Sequence, residues 1–179
     1  MPAVRPSLVA GLLGIVILCL NLFGCASPAR PTEMKVVEYP SDKTYDASLA
    51  VAVYGDVGGF ASHYYPLSRE DFEQALLQTL SNSGIFRSIS SESDADFKLS
   101  VGLMRLVQPQ WSGPVTLETT WAVTSPSVSL ELARESIISI APASFSGKRE
   151  ATEAATQKNI LDGISWLLVT IDRATSENQ

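Results

Sequence analysis

The sequence predicts an α+β fold: a two-layer sandwich of order β-α-β-β-β-α, with two helices on one face of a four-stranded, mostly antiparallel sheet. Three observations predict it. Residues 68–83 and the stretch from Arg149 onward each carry one apolar stripe at helical spacing. Four other segments alternate apolar and polar residues, as half-buried strands do. Three of those four follow one another across short turns, the mark of an antiparallel meander.

Ser48 to Val57 is the first strand, with Leu49, Val51 and Val53 on one face and small Ala50 and Ala52 on the other. Asp56-Val57-Gly58-Gly59 breaks it, and a loop runs through Phe60, His63, Tyr64 and Tyr65 to Pro66. The first helix has the clearest start. Ser68 suits the N-cap, Asp71 stands three residues on, and Leu67 and Phe72 are placed for a hydrophobic staple. Phe72, Ala75, Leu76, Thr79 and Leu80 form its stripe, and Gly84 followed by Ile85 fits a Schellman closure. Asp96 to Gln108 alternates through Phe97, Leu99, Val101 and Leu103 until Met104, Leu106 and Val107 disturb the phase, which predicts a bulge. After a turn at Gln110-Trp111-Ser112-Gly113-Pro114 comes Val115 to Thr124, then a strand that starts at Val128 and runs irregularly to Ile140. The second helix recurs through Ala151, Ala155, Ile160, Ile164, Leu167 and Ile171, and Gly163 inside it costs about 1 kcal/mol against Ala. Trp121 and Trp166 lie on apolar faces and are expected in the core.

Upstream of the domain, Arg5 precedes an apolar run from Leu8 to Leu20, the length of a signal peptide's central region and short of a comfortable membrane span. It ends in Leu22-Phe23-Gly24-Cys25. A lipoprotein signal peptidase needs an aliphatic residue at −3 (Leu22), a small one at −1 (Gly24) and a cysteine whose thiol carries a diacylglycerol (Cys25). The alternative is an uncleaved N-terminal anchor. Cleavage gives residues 1–24 as signal peptide, 25–47 as a lipidated, proline-containing tether, 48–173 as one globular domain and 174–179 as a tail. Within the tether, Met34 to Tyr39 has the composition of a short edge strand. Fully stretched, the tether reaches some tens of ångströms from a bilayer.

Cleavage also removes Cys19, which leaves Cys25 as the sole mature cysteine and rules out a disulfide framework. The whole chain has 13 basic and 19 acidic residues, a net charge of −6, and loss of Arg5 takes this to −7. Such a domain is a poor ligand for nucleic acid or anionic lipid, both of which call for clustered Lys and Arg.

The search for chemistry finds little. His63 is the only histidine, and alone it cannot build a zinc site. No G-x-S-x-G elbow presents a serine to it. Gly55 to Gly59 lacks the Lys-Ser/Thr ending of a phosphate loop. Glu92, Asp94 and Asp96 read as a solvated loop without calcium-site spacing. No metal, no cofactor and no catalytic set are expected. Phe60, Tyr64, Tyr65 and Trp111 are aromatics in loops, and they either form a partner-binding patch or fold over the end of the sheet as satellite core.

Val57-Gly58-Gly59, the run from Ser68 through Glu70-Asp71-Phe72, Ala75-Leu76 and Leu80 to Gly84-Ile85-Phe86, and Leu99 through Leu103 to Leu106-Val107-Gln108-Pro109 resemble a set of small Gram-negative lipoproteins of uncharacterised function. The layout is more distantly similar to auxiliary lipoproteins of envelope lipid and lipopolysaccharide transport. The resemblance implies three acyl chains on Cys25, palmitate among them, and Ala26 after it implies sorting to the periplasmic face of the outer membrane. The expected function is a non-enzymatic accessory component that binds an envelope protein. The alternative is a small-ligand or lipid-binding module with a pocket between sheet and helices, walled by Phe60, Tyr64 and Trp121. In cells, Cys25→Ser should abolish labelling with palmitate and leave the precursor uncleaved; a variant that still labels would refute the lipidation reading.

Overall fold

The computed structural model describes residues 39–57, 65–90, 94–125, 130–143 and 147–176. The element order is β1 (Tyr45–Tyr54), α1 (Arg69–Ser83), β2 (Phe86–Ser90), β3 (Phe97–Val107), β4 (Val115–Ser125), β5 (Leu130–Ala141) and α2 (Lys148–Ser176). The five strands form one sheet of order β2-β1-β3-β4-β5. β1 runs parallel to both β2 and β3, while β3-β4-β5 is the antiparallel meander that the alternation implies.

Two expectations are corrected here. The sheet has five strands, not four, and it is mixed. The additional strand, β2, begins two residues after the helix-capping Gly84, and as an edge strand of five residues it buries only Phe86 fully. It therefore shows no alternating pattern. The parallel pairs follow from the connections: α1 carries the chain from the end of β1 back to its starting end, so β2 runs with β1, and β3 begins beside Leu49, where β2 stops beside Ala50, and continues in the same direction. The Tyr45 amide bonds to the Ile85 carbonyl at 2.7 Å, and the Tyr45 and Phe86 rings stack with centroids 5.6 Å apart. β1 also starts three residues earlier than expected, at Tyr45, and α2 runs on to Ser176.

The first helix forms as its sequence predicts. Ser68 is extended (φ −80°, ψ 155°) and its hydroxyl accepts the Asp71 amide at 3.0 Å. Leu67 and Phe72 are both fully buried, as a staple requires, and Gly84 closes the helix in the left-handed region at φ 63°. In β3 the register slips between Leu103 and Arg105, so the bulge falls on Met104 and turns Leu106 back into the core.

The helices cover one face. α1 lies on β1 and β2, and α2 on β4 and β5. Inward residues align across strands, as in Val53–Val101–Trp121 and Val51–Leu99–Val123. The other face is open, and exposes Tyr54, Met104, Ile138 and Ile140. Trp121 is the largest fully buried side chain. Its indole N–H donates to Thr119 Oγ1 (2.9 Å), whose own proton goes to Asn159 Oδ1 (2.7 Å), while Asn159 Nδ2 donates to the Ile137 carbonyl (3.1 Å). One buried chain of hydrogen bonds thus joins β4, β5 and α2, and every polar atom in it has a partner.

Gly163 explains how close α2 comes. A Cβ there would lie 2.2–2.4 Å from three atoms of the Trp121 ring. The glycine that weakens the helix locally is what lets the helix rest on the tryptophan. Gly163→Ala gains about 1 kcal/mol of helix propensity but overpacks a closed contact, which costs about 1–3 kcal/mol and more where backbone must move. Thermal denaturation should therefore show a lowered Tm, and adding Trp121→Leu should cost less in Gly163→Ala than in the native background. A Gly163→Ala protein melting above the native one would show that the helix can stand off.

Candidate functional site

Among the described residues no three His, Cys, Asp or Glu side chains group as metal ligands would. Leu22, Gly24, Cys25, Phe60, His63, Tyr64 and Glu92 lie outside the described residues. Asp96 serves the fold: its carboxylate accepts the Ser48 amide and hydroxyl, both at 2.7 Å, and its own amide donates to Ser48 Oγ at 2.9 Å. These bonds, chiefly, hold its carboxyl below the usual range. Gly55, at the start of the glycine-rich loop, has φ 84°, and a Cβ there would sit 2.6 Å from the Leu103 carbonyl. Its role is close passage over β3.

What the structure does build is two ends. At one end, Tyr65 is fastened to Gln108, which follows the last residue of β3, and the Trp111 turn is fastened to Lys148 and Ala143. The Gln108 amide takes the Tyr65 backbone as a strand would: Nε2 donates to the Tyr65 carbonyl (2.8 Å) and Oε1 accepts the Tyr65 N–H (3.3 Å). The second Nε2 proton goes to Thr152 Oγ1 of α2 at 2.9 Å. Two residues on, the Gln110 carbonyl accepts from Lys148 Nζ at 2.6 Å, and Lys148 is only 1% exposed. Gly113 N–H donates to the Ala143 carbonyl at 3.4 Å, closing the turn against the end of β5. On this base Trp111 stands out at 70% exposure, and Tyr65 is half-buried. Of the four expected patch residues, the structure brings these two to one end of the sheet, one outward and one tied down.

Gln108, Lys148 and Thr152 were not singled out in the sequence. The available signal was the polar series Lys148, Thr152, Thr156, Asn159 at helical spacing on the face that should be apolar. All four are buried, and Thr152 and Thr156 also donate to the carbonyls four residues back at 2.8 Å.

The opposite end holds the entering chain. Lys43 Nζ donates to Asp172 Oδ2, Tyr45 Oη donates to Asp172 Oδ1 at 2.5 Å, and Tyr39 Oη and Ser165 Oγ share a hydrogen bond of 2.8 Å. Residues 39–45, all of which the sequence assigns to the tether, are thus clasped along the last turns of α2. Asp172 is held below the usual carboxylate range by the Lys43 bond and then the Tyr45 bond. Tyr45 is pushed above its usual range, first by burial and then by Asp172. Lys148 and Asp172 are 24 residues apart on one helix, about 36 Å at 1.5 Å per residue, so the clasp and the Trp111 turn mark opposite poles.

Of the three residues expected to wall a pocket between sheet and helices, Trp121 is fully buried and packs under Gly163, while Phe60 and Tyr64 lie outside the described residues. Two open depressions lie elsewhere: about 400 Å³ along the outer side of α1 beside Glu70, Leu77 and Gln78, and about 420 Å³ between residues 39–43 and α2 beside Leu168 and Val169. Among the described residues no helix is long and apolar enough to cross a membrane.

No family model matches the chain, and no curated protein matches it. Solved structures share the fold. A DUF330-family protein of Xanthomonas campestris superposes with a TM-score of 0.66 at 15% identity, covering 84% of this chain and 98% of that one. A Chlamydia trachomatis protein does so with a TM-score of 0.54 at 7% identity, covering 69% of this chain and 96% of its own. At these identities the likeness is one of fold.

The Asp172 clasp sets a pH dependence. Its folded pKa lies below the unfolded value of about 3.9, so its contribution is present above that value and is lost as pH falls through the folded pKa. Hydrogen exchange, corrected for intrinsic rates, should show residues 39–45 protected at neutral pH and released before the rest of α2 as pH falls below the ordinary carboxylate range. Asp172→Asn should release them at neutral pH, and unchanged protection in that variant would remove Asp172 from the clasp.

Proposed function

We propose that the chain is a lipid-tethered, non-enzymatic envelope domain, held at the periplasmic face of the outer membrane by acylated Cys25, and that its Trp111 end docks on an envelope protein. The observation that carries this reading is the polarity of the molecule. The entering chain is fixed to α2 at Asp172 and Ser165, while the exposed tryptophan sits at the other end of the same helix, on a turn held by buried Lys148. Aromatic side chains on a rigid, hydrogen-bonded base lose little conformational entropy on binding and are favoured as interface anchors.

The clasp also shortens the reach. Between Cys25 and Tyr39 stand thirteen residues, Ala26–Glu38, which span at most ~43 Å at ~3.3 Å each. The domain itself is about 36 Å from clasp to turn. A tether of that length lets the Trp111 pole face away from the bilayer and meet proteins standing in the periplasm.

The test is site-specific photocrosslinking in cells that make the full lipidated chain. A photoreactive residue in place of Trp111 should give a discrete adduct, and the same residue in place of exposed Asn82 on the outer side of α1 should not. Trp111→Ala should remove that partner from a mild-detergent pull-down while leaving Tm unchanged. Equal labelling from both positions, or none from Trp111, would overturn the proposal.

A further inference from the structure

The two ends of α2 hold their neighbours by different kinds of contact. At the Trp111 end, Lys148 and Thr152 bond from buried positions. At the other end, residues 39–44 are tied to α2 by side chains at the surface. The Tyr39 hydroxyl meets exposed Ser165 at 2.8 Å, and exposed Lys43 donates to Asp172. Pro40, Asp42 and Thr44 are exposed too, and the Ser41 hydroxyl bonds within the segment, accepting the Lys43 amide at 3.1 Å. An open depression of about 420 Å³ lies between these residues and Leu168 and Val169 of the helix. The segment therefore bridges α2 between its two tyrosines, Tyr39 and Tyr45, which pack half-buried against the core.

The strand behind it is jointed. Tyr45 pairs with Phe86, but the register shifts before Ser48, where the regular ladder to β2 begins. Segments with few buried apolar contacts and surface hydrogen bonds open at a fraction of the free energy of global unfolding.

We propose that residues 39–44 are a releasable strap, latched on Asp172, that sets how far the domain can stand from its membrane anchor. This rests on the lipid-tether reading above. With the strap closed, the tether is the thirteen residues Ala26–Glu38; with it open, the six residues Tyr39–Thr44 join them, which adds up to ~20 Å at ~3.3 Å each. The sheet is undisturbed by the change, because Tyr45 keeps its amide on the Ile85 carbonyl and its ring on Phe86. Tension arriving from Cys25 loads the Tyr39–Ser165 bond first and the latch second. Asp172 is the latch because one carboxylate serves two groups, Lys43 at Oδ2 and the Tyr45 hydroxyl at Oδ1. A contact beyond the closed reach is made by the open form alone and draws the equilibrium toward it, whereas a nearer contact leaves the strap shut. One sequence thus supplies two tether lengths.

The test uses the full lipidated chain in phospholipid vesicles, with a donor dye on Asn82→Cys and acceptor dyes on the lipids, so that energy transfer reads the height of the domain. Asp172→Asn and Lys43→Ala should each raise the mean height by up to ~20 Å and broaden its distribution, with the sheet still folded by circular dichroism. Asp162→Asn, which breaks a separate exposed pair on α2 with Lys158, should leave the native height. Equal heights in the native chain and both strap variants, or an equal rise with Asp162→Asn, would overturn the proposal. A chain that does not associate with the vesicles would remove the anchor, and the reach with it; one that binds them at an unchanged height would remove the strap alone.

Discussion

The seating of α2 on Trp121 governs the rest of the molecule. Only glycine at 163 leaves room for the indole, so the helix can approach β4 closely at that point and nowhere else in the same way. Once it does, both ends of a 29-residue helix are placed. One turn before Gly163, Asn159 reaches the Ile137 carbonyl and the Thr119 hydroxyl. Nine residues after it, Asp172 meets Lys43 and Tyr45. At the far end, Lys148 and Thr152 hold the β3–β4 turn. A single steric fit therefore positions the clasp at one pole and the Trp111 turn at the other.

The helix is not uniform along its length. Its second half packs Ile160, Ile164, Leu167, Leu168 and Ile171 into the core, and burial of apolar area supplies the stabilisation there. Its first half buries only small apolar residues, Ala151 and Ala155, beside Lys148, Thr152, Thr156 and Asn159. Hydrogen bonds of this kind add about 0.5–1.5 kcal/mol each, but a partner lost from one of them costs more, because a buried polar atom is then left unsatisfied. The first half of α2 thus fixes direction and register more than it adds stability, and it holds the Trp111 turn in place through Lys148.

Fold alone does not determine what the domain does, since one architecture hosts many functions. The bacterial structures that share this fold at 15% and 7% identity fit the two-layer arrangement and leave its surfaces unassigned. Those surfaces differ from one another. The helical side carries Glu70, Asp71 and Glu73 on α1, whereas the open side of the sheet mixes Lys98, Arg105, Glu118 and Arg134 with exposed Tyr54, Met104, Ile138 and Ile140.

The sequence by itself determined the elements whose signals lie within a few residues: the Ser68 cap, the Leu67–Phe72 staple, the Gly84 stop, the meander, and the slip in phase that became the Met104 bulge. It also marked Phe60, Tyr64, Tyr65 and Trp111 as loop aromatics that either bind or pack. It did not disclose β2, because an edge strand of Phe86-Arg87-Ser88-Ile89-Ser90 buries too little to alternate. It did not disclose the parallel pairing of β1 either, since strand direction is set by where α1 returns the chain. Gly163 read as a defect, and Gln108 as the end of a strand. Only the tertiary structure decided those roles, because each depends on a group far along the chain: Gln108 on Thr152, 44 residues away, and Lys43 on Asp172, 129 residues away. Caps and periodicity are local interactions and leave local marks; close approach, strand order and buried hydrogen bonds arise between distant segments and leave none.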